Sequence, residues 1–194
     1  MRGRSSEVSA GVTAADDRLE GLAPVVDARV ETLVLGSFPS AKSLAAGQYY
    51  AHPRNQFWLI LGAVLDEQLV DLPYGERLAR LLAHSIGLWD VVGACERIGS
   101  LDAAIRNPDE NDLMRLTRRI PRLRRVLLNG RRAGRAAKFL IGAGYQALVL
   151  PSSSPAFAAL SLDEKIRLWR AAFAVADSAR STGQISPRRR RSTR

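Results

Sequence analysis

A chain of 194 residues that is 46% hydrophobic is long enough for one domain with a sizeable core. Its single cysteine, Cys95, excludes an internal disulfide framework, a four-cysteine iron–sulfur cluster and a cysteine-built structural zinc site. No apolar run reaches the length of a membrane span and the N-terminus lacks a signal peptide's apolar stretch, so a cytoplasmic protein without a membrane partner is expected, while a net charge of +10 points to a polyanion.

Taken in chain order, residues 1–20 are polar, small and without period, and read as a disordered lead-in. A single folded domain is expected over residues 21–177. Thr32-Leu-Val-Leu-Gly36 reads as a buried strand that ends at a Gly/Pro break. A helical pattern follows from Asn55 to Leu65 and another from Tyr74 to Ala83. Ile86 to Val92 is a second strand, Asn111 to Ile120 a helix, Val126 to Asn129 a third strand, Arg131 to Ile141 a helix, and Ala147 to Leu150 a fourth strand. A last helix starts at Ser161, which has Glu164 three residues on in a capping-box arrangement, and runs to about Ala176. Residues 178–194 contain Ser-Pro-Arg-Arg-Arg-Arg and read as a mobile basic tail.

Strands that alternate with helices predict an α/β fold: a three-layer α/β/α sandwich around a parallel sheet of about four strands. Ligands of such sheets bind outside the carboxyl ends of the strands. The loops expected there are Ser37–Ser40, the segment at Asp90, Asn129-Gly130 and Pro151–Phe157, all opening on one edge. The charge adds a direction. From Leu113 to Leu162 there is no acidic residue, yet the stretch carries Arg115, Arg118, Arg119, Arg122, Arg124, Arg125, Arg131, Arg132, Arg135 and Lys138. Nucleic acid suits that surface, and Arg131 and Arg132, beside a predicted ligand loop, are candidate phosphate contacts. The bland alternative is a solvated basic face.

Three stretches carry a resemblance. The first is Gly36-Ser-Phe-Pro-Ser40 with Ser43, followed by Gln48-Tyr-Tyr-Ala-His-Pro-Arg-Asn-Gln-Phe-Trp58. The second is Gly87-Leu-Trp-Asp-Val-Val92 running on through Cys95-Glu-Arg97 to Gly99-Ser-Leu-Asp102. The third is Leu150-Pro-Ser-Ser-Ser-Pro-Ala156, with Lys165 and Trp169 behind it. Together they resemble the uracil-DNA glycosylase superfamily, and most closely its hypoxanthine-DNA (deoxyinosine) glycosylase branch, over roughly residues 30 to 172. The resemblance implies a monofunctional hydrolase that flips a deaminated base (hypoxanthine, with uracil and xanthine as further candidates) out of DNA and cleaves its N-glycosidic bond in base excision repair. Single- or double-stranded DNA bearing the damaged base is the implied partner, and a monomer is expected. No metal-ligand spacing occurs, so neither a metal nor another cofactor is expected.

The resemblance also assigns residues. Gly36, Ser37, Phe38, Pro39 and Ser40 form the first motif, whose backbone amides face the base. Most branches have Asp or Asn at the Phe38 position to handle water. Phenylalanine cannot do so, and the hypoxanthine branch uses a later Asn, here Asn55. An amide cannot take a proton, but it can orient water beside a sugar that becomes cationic in the transition state. Asn55 also precedes an apolar helical run, so a plain helix cap remains the competing reading. Tyr50 matches the aromatic on which the base stacks, with Tyr49 reading as a core residue. Asp90 matches the residue that reads the base edge; its carboxylate would accept from N1–H of hypoxanthine while a first-motif amide donates to O6, against the alternative of a turn cap. Ser152, Ser153, Ser154, Pro155, Ala156 and Phe157 match the loop that enters the minor groove. Two departures stand out there: Ser152 replaces the histidine of the uracil-specific branch, and Phe157 stands where the hypoxanthine branch has Asn. Phe157 reads either as a wedge into the base stack or as a residue that has closed the pocket. The second case favours a different class of function, a catalytically weak binder of damaged or abasic DNA. A generic basic RNA-binding protein is disfavoured by the first motif.

Overall fold

A computed structural model describes residues 18–181. Arg18–Glu20 forms a short strand, β1, and Thr32–Gly36 the first strand of the main sheet, β2. The helices Ala41–Ala46 (α1), Phe57–Leu65 (α2) and Tyr74–Ala83 (α3) follow, then the strands Ile86–Asp90 (β3), Val92–Glu96 (β4) and Arg106–Glu110 (β5). Leu113–Thr117 is α4, Arg125–Asn129 β6, Ala137–Gly142 α5, Gln146–Leu150 β7 and Leu162–Ser181 α6.

The four strands read from the sequence pair in parallel in the order β3-β2-β6-β7. The apolar runs of β2, β3 and β6 are continuous because both faces are covered, while the edge strand β7 is only partly covered and leaves Val149 exposed. Alternate residues go to opposite faces. Leu33, Leu35, Val126 and Leu128 pack with Leu113, Leu116, Ile120 and Leu140, whereas Val34, Leu127 and Leu88 pack with Phe57, Trp58, Leu61, Leu81 and Trp169. That is the layered α/β/α arrangement the periodicity predicts, with α2, α3 and α6 on one side and α4 and α5 on the other. Trp58 and Trp169 are buried core residues. The capping box forms: Glu164 N–H donates to Ser161 Oγ, and Ser161 N–H to Glu164 Oε2.

The structure departs from the sequence reading in four places. The run Ile86–Val92 is not one strand. It breaks after Asp90, where Val91 N–H donates to Gly36 O and Val92 N–H to Ser37 O, and the chain swings into a second, antiparallel sheet of order β1-β4-β5. No strand was expected at residues 106–110, because Arg-Asn-Pro-Asp-Glu has no apolar alternation and all five residues are exposed. The lead-in expected over residues 1–20 stops short, since residues 18–20 pair with β4; residues 1–17 lie outside the described residues. At the other end α6 runs on through Ser181, into the segment expected as tail, and residues 182–194 lie outside the described residues. Helix ends also shift. Asp112 Oδ1 caps α4 through Arg115 N–H, and the Arg131–Ile141 pattern becomes a 3₁₀ turn over Ala133–Ala136 leading into α5.

Candidate active site

The carboxyl ends of the four parallel strands, Gly36, Asp90, Asn129 and Leu150, come together at one edge and border a cavity of about 330 Å³. Every site residue proposed from the sequence except Pro155 lines it: Asn55, the whole Gly36–Ser40 turn, Tyr50, Asp90, Arg131, Arg132, Ser152, Ser153, Ser154, Ala156 and Phe157. Pro155 is exposed beside them. The expectation that Ser37 and Ser154 share an edge is met.

The floor is built from β2 and β3, whose register places Gly36 beside Asp90. A Cβ on Gly36 would collide with the Asp90 carboxylate and come within 3.0 Å of the Tyr50 hydroxyl, so glycine is what lets Asp90 lie across the strand end. Asp90 is only 4% exposed, and its Oδ2 is buried without a hydrogen-bond partner among the described residues. Burial, with Asp102 adding repulsion and Arg97 opposing it, pushes the Asp90 carboxyl up to about 7. The backbone is held separately: Asn111 Nδ2 donates to Asp90 O at 2.8 Å, and Asn111 N–H to Val91 O at 2.9 Å.

Beyond Gly36 the chain turns through Ser37-Phe-Pro-Ser40, and Ser40 Oγ caps α1 by accepting from Ser43 N–H at 3.1 Å. Phe38 is buried beneath the Arg97 guanidinium, 4.9 Å from its ring centroid, and Arg97 Nη2 donates to Pro39 O. Arg97, from the end of β4, therefore clamps the first motif by covering the Phe38 ring and bonding to the Pro39 carbonyl. Ser37 Oγ is buried in the wall without a partner among the described residues.

Tyr50 sits in a left-handed turn, φ 56°, and lies flat on Phe57 with ring centroids 3.7 Å apart and planes 18° from parallel. Tyr49, by contrast, belongs to the core, its hydroxyl donating to the Leu22 and Ala23 carbonyls. Asn55 lines the cavity and, one residue before the Gln56 N-cap, also satisfies a first-turn amide of α2: its Oδ1 accepts from Phe57 N–H at 3.0 Å. Both readings of this residue are compatible in one geometry, because a carbonyl oxygen has two lone pairs and the amide nitrogen stays available.

The Pro151–Phe157 loop is fastened at several points. Trp169 Nε1 donates to Pro151 O at 3.0 Å, and Lys165 Nζ donates at 2.8 Å to both Phe157 O and Gln56 Oε1. Lys165 is buried, which lowers its pKa, and its ammonium lies 5.3 Å from the Phe157 ring centroid. Ser153 differs from its sequence assignment. It is fully buried, its N–H donates to Asn129 Oδ1 and its Oγ accepts from Asn129 Nδ2, both at 2.9 Å, so it latches the loop instead of facing DNA. Arg131 is exposed and Arg132 half-buried at the rim.

Asn129 is the residue the sequence reading passed over as a mere loop position. Besides Ser153 it donates to the Tyr50 hydroxyl at 3.3 Å, so one amide ties three loops together. Its signal was available, an amide at the carboxyl end of an otherwise apolar parallel strand. Arg97 and Asp102 were quoted within the second motif but given no role, since only the fold brings them beside Asp90. Among the described residues no group of three His, Cys, Asp or Glu side chains is placed to hold a metal ion, and no helix is long and apolar enough to cross a membrane.

At the carboxyl ends of the parallel sheet one cavity gathers a tyrosine stacked on a phenylalanine, a buried carboxylate whose Oδ2 has no partner among the described residues, two amides and a glycine-serine turn, walled by a loop and rimmed by arginines. A family model described as the uracil DNA glycosylase superfamily matches residues 23–173. The chain belongs to that superfamily. It is 41% identical over 153 residues to a hypoxanthine DNA glycosylase of Methanosarcina acetivorans, an alignment covering 79% of this chain and 96% of the relative. It is 40% identical over 137 residues to a hypoxanthine DNA glycosylase of Methanosarcina barkeri, covering 71% and 87%. The solution NMR structure of a Methanosarcina acetivorans protein named for uracil DNA glycosylase superposes with a TM-score of 0.71 at 39% identity, covering 79% of this chain and 98% of that one.

Proposed function

We propose that this protein is a monofunctional DNA glycosylase that receives an extrahelical hypoxanthine in the cavity and hydrolyses its bond to deoxyribose, with uracil and xanthine as further substrates. The observation that carries the proposal is the convergence on one cavity of Asn55, Tyr50, Asp90 and the Gly36–Ser40 turn. Tyr50, backed by Phe57, offers a rigid face for stacking, which tolerates different bases and contributes on the order of 1–3 kcal/mol per base. Asp90 accepts from N1–H, and a first-motif amide donates to O6. As the C1′–N9 bond lengthens, the sugar becomes cationic and the bonding pair moves onto the purine, where donors stabilise the charge. Water held by Asn55 adds its oxygen to C1′, and its proton goes to solvent or the departing base. Among the described residues no lysine lines the cavity, so none of them is placed to form an imine with the sugar.

Arg131 and Arg132 at the rim, together with the exposed part of the Ser152–Phe157 loop, grip the flanking DNA. The assay is incubation with oligonucleotides carrying hypoxanthine, uracil or xanthine, followed by alkali. Alkali-dependent cleavage at hypoxanthine is expected, with none before alkali. Intact strands with all three bases, alongside retained binding to the same oligonucleotides, would replace the proposal with the damaged-DNA binder.

A further inference from the structure

Beside the cavity at the strand ends lies a second one of about 280 Å³, against about 330 Å³ for the first, and Arg132 lines both. The hydrolysis described above gives it no task. Resting on the glycosylase reading, we propose that this second cavity binds the base of an unpaired nucleotide next to the extruded one. The base stacks on Phe139, and its backbone follows Arg132 and Arg135.

Four observations support the assignment. Phe139 lines the second cavity from α5, is 55% exposed and belongs to neither cluster of the core. An aromatic ring left open in a cavity is a platform on which any base can stack. Val91, Val92 and Leu113 add buried apolar surface to the same cavity. Among the described residues no ion pair engages Arg131, Arg132 or Arg135, although Glu110 and Asp112 line the cavity with two of them, so the guanidinium groups are available to phosphate. Finally, the two cavities are built as one piece. Asn111, in the wall of the second, donates through Nδ2 to Asp90 O and through its N–H to Val91 O, which ties that wall to the strand end bordering the first.

The charges of the lining orient the ligand. Arg132, Arg135 and Phe139 come from the segment after β6, whereas Glu110 and Asp112 come from the end of β5 and the start of α4. Carboxylates repel phosphate but accept hydrogen bonds from the N–H and amino groups of a base edge. The backbone therefore lies on the arginine side and the base edge points to the acids. Asp112 Oδ1 already accepts from Arg115 N–H at the start of α4, which makes Glu110 the principal acceptor. Interleaved cations and an aromatic suit an unpaired strand, whose bases are free to leave the stack; a base held in a duplex is not.

The test uses single-stranded oligonucleotides with one hypoxanthine, in which each of the two nucleotides on either side is replaced in turn by a tetrahydrofuran spacer. The spacer removes a base and keeps its phosphate. Affinity is read by fluorescence anisotropy and excision by alkali cleavage, for the wild type, Phe139→Ala, Phe139→Trp and Ile141→Ala. For the wild type a spacer at one of these positions should weaken binding by about fivefold or more, the low end of what one stacked base contributes. Phe139→Ala should lose that positional effect, Phe139→Trp should retain it, and Ile141→Ala, an exposed neighbour on α5 outside the cavity, should behave as the wild type. Equal affinity for every spacer in the wild type, or a positional effect that survives Phe139→Ala, overturns the proposal. Loss of the effect in Ile141→Ala as well would also overturn it, by removing Phe139 as the platform. Absence of excision with the positional effect present would instead overturn the glycosylase reading and leave the second cavity as a base site.

Discussion

Replacing Asn55 with alanine removes two things at once, and the structure allows them to be weighed separately. The first is the cap on Phe57 N–H, a 3.0 Å hydrogen bond at the start of α2. Loss of an Asn cap costs about 1 kcal/mol, which in a domain of this size lowers Tm by roughly 2–4 °C. The second is the proposed hold on the attacking water. A hundredfold loss in the chemical step corresponds to about 2.7 kcal/mol of transition-state stabilisation, well beyond what a frayed first turn would cost. The assay is single-turnover excision of hypoxanthine with enzyme in excess, run beside thermal melting and anisotropy. Asn55→Ala should lose at least about a hundredfold in rate while binding of the damaged oligonucleotide survives, because Tyr50 and the rim arginines are untouched. Asn55→Asp keeps the cap and should melt like the wild type, yet its rate should move, since a carboxylate next to a cationic sugar is not an amide. If Asn55→Ala loses only as much activity as its melting shift explains, and Asn55→Asp changes neither, Asn55 is a helix cap and the water must be held elsewhere.

Gly36→Ala should leave the fold intact by circular dichroism but abolish hypoxanthine binding, because the new Cβ occupies the place of the Asp90 carboxylate. Full activity in that variant would show that Asp90 can lie elsewhere. Because the folded pKa of Asp90 is raised to about 7 from an ordinary 3.8, the folded protein holds a proton that the unfolded chain has released between those values. The buried charge thus lowers stability progressively as pH rises through that window. Asp90→Asn should accordingly melt above the wild type at pH 8, with the gap closing as pH falls toward 4. A constant gap would mean that Asp90 titrates normally. Phe157→Asn should raise hypoxanthine excision if the ring narrows the pocket, and should change DNA affinity more than rate if the ring wedges the stack; no change in either would take Phe157 out of the site. Arg131→Ala should reduce the log–log salt slope of DNA binding by about one unit if the exposed guanidinium meets a phosphate, and an unchanged slope would move the DNA path away from that rim.

The parallel sheet was legible because its strands carry the strongest signal a sequence offers, unbroken apolar runs bounded by glycine, proline or polar breaks. From the runs Thr32–Gly36, Val126–Asn129 and Ala147–Leu150, each extended by at most one residue in the structure, the edge that bears the site follows directly. The second sheet was not legible. Its strand Arg106–Glu110 is exposed at every position, so it is held by main-chain pairing to β4 and leaves no side-chain pattern. The break after Asp90 was hidden for a related reason. Val91 and Val92 keep the apolar run going while their N–H groups bond to Gly36 and Ser37, and hydrophobicity does not record a change of partner. Within the site, the motif residues could be read because their order along the chain is specific. The roles of Asn129, Arg97 and Ser153 could not, because each depends on a contact between segments far apart in sequence. Ser153 shows the limit most clearly: three consecutive serines look alike on paper, and only the fold buries the middle one against Asn129.

The attachment of the Pro151–Phe157 loop to α6 sets an order of assembly. The Gly36 turn, Tyr50, Asn55, Asp90 and Asn129 all precede the loop in the chain, but Trp169 and Lys165, which secure it, come after it. Arg125 in turn binds the Ala172 and Phe173 carbonyls, fixing α6 to the sheet two turns further on. During vectorial synthesis the base pocket's parts emerge first and its outer wall last. A chain interrupted before α6 holds the residues of the cavity floor but lacks the Lys165 and Trp169 donors that fasten the loop beside them.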